Sequence, residues 1–151
     1  MITEQGPKVV EFNCRFGDPE CQAILPSLQT DLLELLDAAA SGRLEEKDIT
    51  IDDKYRCCVV MASGGYPKEY EKGKVISGIE DVSNDVLVFH AGTAQKGDRL
   101  VTDGGRVLSI VGSGATLQEA IKATYAEVKK ITFEDAYYRS DIGVKGLAHL
   151  D

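Results

Sequence analysis

Arg56-Cys57-Cys58-Val59-Val60-Met61-Ala62 is the stretch from which the fold is read. It is a short, almost continuous apolar run, broken by Gly64-Gly65-Tyr66-Pro67, and this pattern predicts a central β-strand. Further along, Lys74-Val75-Ile76, Val86-Leu87-Val88-Phe89 and Arg106-Val107-Leu108-Ser109-Ile110-Val111 have the same character. Lys96-Gly97-Asp98 and Asp103-Gly104-Gly105 are turn sequences, so the connections read as antiparallel hairpins. One helix follows. Thr116-Leu117-Gln118-Glu119 is a capping box, and Leu117, Ala120, Ile121, Thr124, Val128 and Ile131 form one apolar stripe at helical spacing. The implied class is α+β, a mostly antiparallel sheet with one packed helix.

Back toward the N-terminus the pattern changes. Arg43 to Lys54 is charged and reads as a linker, with at most a short strand near Ile49-Thr50-Ile51. Ahead of it, Thr30-Asp31 starts a helix that carries Leu32, Leu33, Leu35, Leu36 and Ala39 and stops at Ser41-Gly42. A shorter helix precedes that one, with Asp18 as its expected N-cap, Pro19 in its first position and Pro26 as its breaker. A strand over Lys8 to Cys14 leads into it. The expected organisation is therefore a front unit at 1–42, a linker at 43–54 and a sheet domain at 55–151.

With 43 % hydrophobic and 28 % charged residues the chain can build a packed core. Its formal net charge of -8, with basic residues scattered, argues against nucleic acid as a partner, since non-specific affinity for polyanions needs clustered Lys and Arg. No run approaches the roughly 20 apolar residues of a membrane helix, and Met1 to Gly6 lacks the pattern of a secretion signal. Cys57 and Cys58 should point to opposite faces of a strand, which suits neither a disulfide nor a shared metal. Reduced thiols in a cytoplasmic protein are the expectation for them and for Cys14 and Cys21.

Chemistry concentrates in Val10-Glu11-Phe12-Asn13-Cys14-Arg15-Phe16-Gly17-Asp18-Pro19-Glu20. On a strand, Glu11, Asn13 and Arg15 share a face while Val10 and Phe12 turn into the core. Oxygen donors two residues apart lie roughly 6.5–7 Å from each other along a strand, close enough to reach one Mg²⁺ at ligand distances of about 2.1 Å. Arg15 could then neutralise a phosphate or an oxyanion, and the start of the next helix would add N–H donors. The same triplet also occurs on ordinary exposed strand faces, so spacing alone leaves both readings open.

Glu11 to Glu20 resembles the signature of the phosphoribosylamine–glycine ligases, also called glycinamide ribonucleotide synthetases, of the ATP-grasp superfamily. Ser63-Gly64-Gly65-Tyr66-Pro67, Phe89-His90-Ala91-Gly92-Thr93-Ala94, Gly104-Gly105-Arg106-Val107-Leu108 and Tyr137-Tyr138-Arg139-Ser140-Asp141-Ile142-Gly143 are similar to that family in its order and near its spacing. The resemblance implies the end of an ATP-grasp lobe followed by the family's C-terminal domain. It implies purine biosynthesis: ATP-dependent joining of glycine to 5-phosphoribosylamine through glycyl phosphate. Glu11 and Asn13 match the ligands of Mg²⁺ (or Mn²⁺), and Arg15 matches an arginine near the acceptor substrate. The family's chain is much longer, so this one is expected to be inactive alone and to self-associate through its front edge or be disordered there.

A stand-alone binding or assembly module and a fragment of another ATP-grasp enzyme, such as a purine-pathway carboxylase, are the competing readings. Retention of Glu11, Asn13 and Arg15 disfavours the first, and the Arg15–Glu20 run with Gly64–Pro67 disfavours the second. His90 and His149 lack metal-ligand neighbours and read as structural. Gly64-Gly65-Tyr66-Pro67 lacks the Lys-Ser/Thr of a phosphate loop and reads as a turn. Tyr137-Tyr138-Arg139 could stack on a base but reads first as strand packing.

Overall fold

The structure of residues 1–148, a computed structural model, begins with a small hairpin of β1 (Ile2–Thr3) and β2 (Gly6–Pro7). Helices α1 (Glu20–Ile24) and α2 (Leu32–Ala40) follow. Then come β3 (Tyr55–Ala62), β4 (Leu87–His90), β5 (Thr93–Lys96), β6 (Arg99–Thr102) and β7 (Arg106–Gly114). Helix α3 (Leu117–Val128) and the short α4 (Val144–Leu147) complete the order. The class is α+β, as the sequence predicts. Among the described residues no helix is long and apolar enough to cross a membrane. The expectation for His149 lies outside the described residues.

The main sheet runs β3-β7-β4, antiparallel throughout. The central strand is therefore β7, and the expectation that Arg56–Ala62 would be central is corrected. Burial explains the difference. In β3, Cys57, Val59 and Met61 are buried while Cys58 and Val60 alternate as half-buried. In β7, Val107, Leu108, Ser109, Ile110 and Val111 are buried without alternation, because both faces are covered.

The other strand assignments hold unevenly. Lys96-Gly97-Asp98 does turn the β5–β6 hairpin, neither of whose strands the sequence suggested. Asp103-Gly104-Gly105 also turns the chain, but β6 and β7 enter different sheets and form no hairpin. Lys74-Val75-Ile76 forms only bridges: Ile76 N–H donates to Leu100 O, and Thr102 N–H to Lys74 O.

Helix α3 lies across the concealed face of β3 and β7. Ala120, Thr124, Val128 and, just past its end, Ile131 face the core, with Leu117 and Ile121 half-buried beside them. Thr124 ties the layers together. Its hydroxyl accepts from Gly112 N–H at 3.0 Å and lies within donating distance of Cys57 O (3.0 Å) and Ala120 O (2.8 Å). The N-terminus of α3 carries the predicted capping box, with Thr116 Oγ1 accepting from Glu119 N–H and Glu119 Oε2 accepting from Thr116 N–H, both at 3.2 Å. Replacing Thr116 with Ala removes one of these partners, and chemical denaturation should record a loss of about 1 kcal/mol.

Helix α2 also forms as read: Asp31 Oδ1 accepts from Leu33 and Glu34 N–H at 2.8 and 3.1 Å, and Gly42 leaves the helix with φ +69°. Pro26 likewise ends α1, which passes into a single 3-10 turn over Leu25–Ser27. The end of the 43–54 segment is anchored to the residues between α1 and α2. Gln29 N–H donates to Thr50 O and Asp52 N–H to Ser27 O, with a bridge between Leu28 and Ile51.

Two expectations for the front segment are overturned. Lys8–Cys14 forms no strand, and Val10 and Phe12 are 71 % and 85 % exposed instead of buried. The reason is that no strand among the described residues lies alongside to complete a ladder or cover that face. Asp18 does not cap α1; the residue ahead of the helix is Pro19, with no side-chain cap. Asp18 is occupied elsewhere, as described next.

Candidate functional site

Glu11, Asn13 and Arg15 are all exposed on the segment between β2 and α1. Two of the three meet: Asn13 Nδ2 donates to Glu11 Oε1 at 3.2 Å. The i, i+2 spacing of an extended chain is enough to bring them together, even without a sheet. Arg15 does not join them. Its guanidinium folds back on the neighbouring carbonyl of Phe16, at 2.9 Å. The helix that was to add N–H donors is only the five residues of α1, too short to contribute a helix-terminus site.

The Glu11–Asn13 pair suits a hard divalent cation such as Mg²⁺ or Mn²⁺, which prefers carboxylate and amide oxygens. The amide now presents its N–H to the carboxylate, and its soft terminal torsion is what would bring Oδ1 round instead. Two donors are a partial set. Among the described residues no group of three or more His, Cys, Asp or Glu comes together, so phosphate oxygens and water would have to supply the rest of an octahedron.

Two guanidinium contacts that the sequence did not signal tie the front residues to the strands. Arg106, first residue of β7, bonds the Asp18 carboxylate at 2.8 Å and the Asp18 carbonyl at 3.1 Å. Asp18 Oδ1 also accepts from Gln22 Nε2 at 3.0 Å, so a residue expected to cap a helix instead fastens the start of α1 to β7. Arg56, at the start of β3, holds Asp52 through two bonds of 2.6 and 2.5 Å and reaches the Pro26 carbonyl at 2.9 Å. Forked pairing of this kind is geometrically specific.

Hydrogen bonding to the Arg56 guanidinium lowers the Asp52 carboxyl from 3.8 to about 2. A carboxyl depressed on folding stabilises the fold fully above its unfolded value, and that contribution disappears as pH falls through the folded one. The denaturation midpoint of the native chain should therefore drop between about pH 4 and pH 2 by more than that of Asp52→Asn, which cannot titrate there. Equal pH profiles for the two would show that the pair does not bias folding.

Two cavities flank the Asp18–Arg106 contact. One, of about 690 Å³, lies against Phe16, Gln22, Leu87, Phe89 and His90. His90 Nδ1 sits 3.1 Å from Thr93 Oγ1, next to the turn into β5. The other, of about 340 Å³, is bounded by Pro19, Cys58, Tyr66, Arg106, Tyr137 and Arg139. Backbone pairing of Tyr137 with Ala62 carries the C-terminal segment along the end of β3, which agrees with the strand packing expected for Tyr137-Tyr138-Arg139. The sequence motifs did single out Gly64–Pro67 and Tyr137–Gly143, but nothing local indicated that they share a cavity.

Residues 56–145 match the family model described as phosphoribosylglycinamide synthetase, C domain, and residues 1–21 match the ATP-grasp (A) domain of the same synthetase. A phosphoribosylamine–glycine ligase of Caldanaerobacter subterraneus subsp. tengcongensis is 51 % identical over 142 residues, covering 94 % of this chain and 34 % of that protein. One from Rhizobium meliloti is 50 % identical over 148 residues, covering 98 % and 35 % respectively. The crystal structure of phosphoribosylamine–glycine ligase from Thermotoga maritima superposes with a TM-score of 0.73 at 34 % identity, over 93 % of this chain and 34 % of that one. The chain thus spans about a third of the length of the relatives it matches.

Proposed function

This chain belongs to the phosphoribosylglycinamide synthetase family, and on that premise we propose that it supplies one part of an ATP- and magnesium-dependent ligase. The substrates are glycine, 5-phosphoribosylamine and ATP, as the names of the relatives suggest. The observation that carries the reading is the 3.2 Å contact between Glu11 and Asn13, exposed on a segment that matches an ATP-grasp domain.

Glu11 and Asn13 would hold the divalent ion. Such an ion would supply positive charge to offset that of ATP phosphate oxygens. Glu11 supplies the negative charge of the protein's donor set and Asn13 a neutral oxygen, so the pair leaves room for phosphate ligands. Arg15, two residues on and with an exposed guanidinium, turns from the Phe16 carbonyl to the anionic end of glycyl phosphate or to the acceptor. Attack by the amine of phosphoribosylamine then releases phosphate. No side chain of this chain has to act as a covalent nucleophile.

Residues 1–42 form the end of the ATP-grasp domain, 43–54 the linker and 55–151 the C-terminal domain. Free thiols at all four cysteines suit a cytoplasmic setting. The test is glycine-dependent release of ADP from ATP, measured with phosphoribosylamine present. The 151-residue chain should be inactive by itself, and a longer protein containing it should turn over.

The exposed front segment has a second consequence. Val10 and Phe12 are 71 % and 85 % exposed on a segment that joins no sheet, an arrangement that invites contact with another chain. We propose that the 151-residue chain self-associates through residues 8–40. Light scattering should give a mass above that of one chain, falling to one chain in Phe12→Lys. A monomer at high concentration would overturn this.

A further inference from the structure

The 340 Å³ cavity lies within the size range of small-molecule sites, and neither Glu11 nor Asn13 lines it. Its floor is the open face of β3, where Cys58, Val60 and Ala62 present apolar or uncharged surface. Burial pushes the Cys58 thiol up to about 11, so the floor stays neutral at ordinary pH. Aromatic rings of Tyr66 and Tyr137 stand at its sides, 39 % and 59 % exposed, and are therefore available to a guest. Rings and an apolar floor favour a flat aromatic guest, which stacks or meets them edge-on.

Charge decides the rest. Two guanidiniums border the cavity, which by itself would suggest an anion. Each is already matched by a carboxylate: Arg139 holds Asp141 at 2.9 and 2.8 Å, and Arg106 holds Asp18 at 2.8 Å. An anionic guest would meet guanidiniums whose charge is already compensated, while a neutral ring can lie against a guanidinium plane without disturbing its pair. We propose that this cavity, between Pro19, the open face of β3 and the Tyr137–Arg139 segment, is a binding site for an uncharged planar heteroaromatic molecule.

The probe is benzimidazole, a neutral planar ring at pH 7.5, titrated into the ¹⁵N-labelled 151-residue chain. Benzimidazole-5-carboxylate, the same ring with one charge, is the comparator. Backbone amides of Val60, Ala62 and Arg139 should shift saturably with benzimidazole, with a Kd in the low millimolar range or tighter, as expected for about nine heavy atoms. The carboxylate should bind no more tightly. Tyr137→Ala should weaken benzimidazole at least fivefold, whereas Tyr55→Ala, an exposed tyrosine away from the cavity, should leave it unchanged. If Tyr137→Ala loses its dispersed spectrum, Tyr66→Ala removes the opposite wall and should show the same weakening. Three results would overturn the proposal: no saturable shift at these amides, tenfold tighter binding of the carboxylate, or full affinity in the tyrosine variant that folds.

Discussion

Glu11→Gln and Asn13→Ala, each placed in a longer protein that contains this sequence and the rest of an ATP-grasp domain, should lower kcat for glycine-dependent ADP release by at least about a hundredfold. Loss of residues that merely support a metal's ligands costs roughly 10- to 100-fold, and these two are proposed as ligands themselves. The effect should fall on kcat more than on the KM for glycine, because charge on the transferring phosphoryl group develops in the transition state. Raising Mg²⁺ should partly rescue Asn13→Ala, which keeps the carboxylate. The 151-residue chain should show at most millimolar affinity for Mg-ATP, about 4 kcal/mol or less, since the donor set proposed among the described residues is the Glu11–Asn13 pair. Unchanged turnover in both variants would remove Glu11 and Asn13 as ligands, and full activity of the 151-residue chain would overturn the incompleteness of its site.

A large stability loss from a single added methyl group is expected at Gly112, where the helix meets the sheet. A Cβ there would stand 2.6 Å from Thr124 Oγ1 and 2.7 Å from the Thr124 backbone nitrogen. Helix backbone cannot yield as a side-chain tip does. Gly112→Ala must push α3 off the sheet, at about 1–3 kcal/mol for overpacking and about 1 more for the strained Gly112–Thr124 bond. With about 2–4 °C per kcal/mol for a domain of this size, the midpoint should fall by roughly 5–15 °C. Thr124→Ser keeps the hydroxyl and removes one methyl, so it should cost only about 0.8 kcal/mol. A Gly112→Ala midpoint within error of the native value would mean that α3 and β7 do not approach as described.

Local chemistry alone determined a good deal of this protein. The capping box at Thr116 and Glu119, the Asp31 cap, the stop at Gly42 and the break at Pro26 are satisfied by atoms a few residues away, so neighbouring residues suffice to specify them. The meeting of Glu11 and Asn13 belongs to the same class, because residues at i and i+2 of an extended chain share a side whether or not a sheet forms. The ordered motifs from Glu11 to Gly143 also carried the family resemblance, which the matched domain models bear out.

Tertiary structure decided what depends on distant partners. Whether Arg56–Ala62 or Arg106–Val111 is central follows from what covers each face, and Ser109 and Gly112 disguise β7 as the less apolar of the two. Val10 and Phe12 have the alternation of a half-buried strand, yet alternation cannot supply the neighbouring strand that would bury them. Asp18 has the sequence setting of a helix cap, but an Arg106 guanidinium 88 positions away binds its carboxylate instead. The cavity walls come from Pro19, Cys58, Tyr66, Arg106 and Tyr137, residues that no periodicity connects. Each of these outcomes rests on a contact across the chain, whose free energy exists only once the sheet and α3 have assembled.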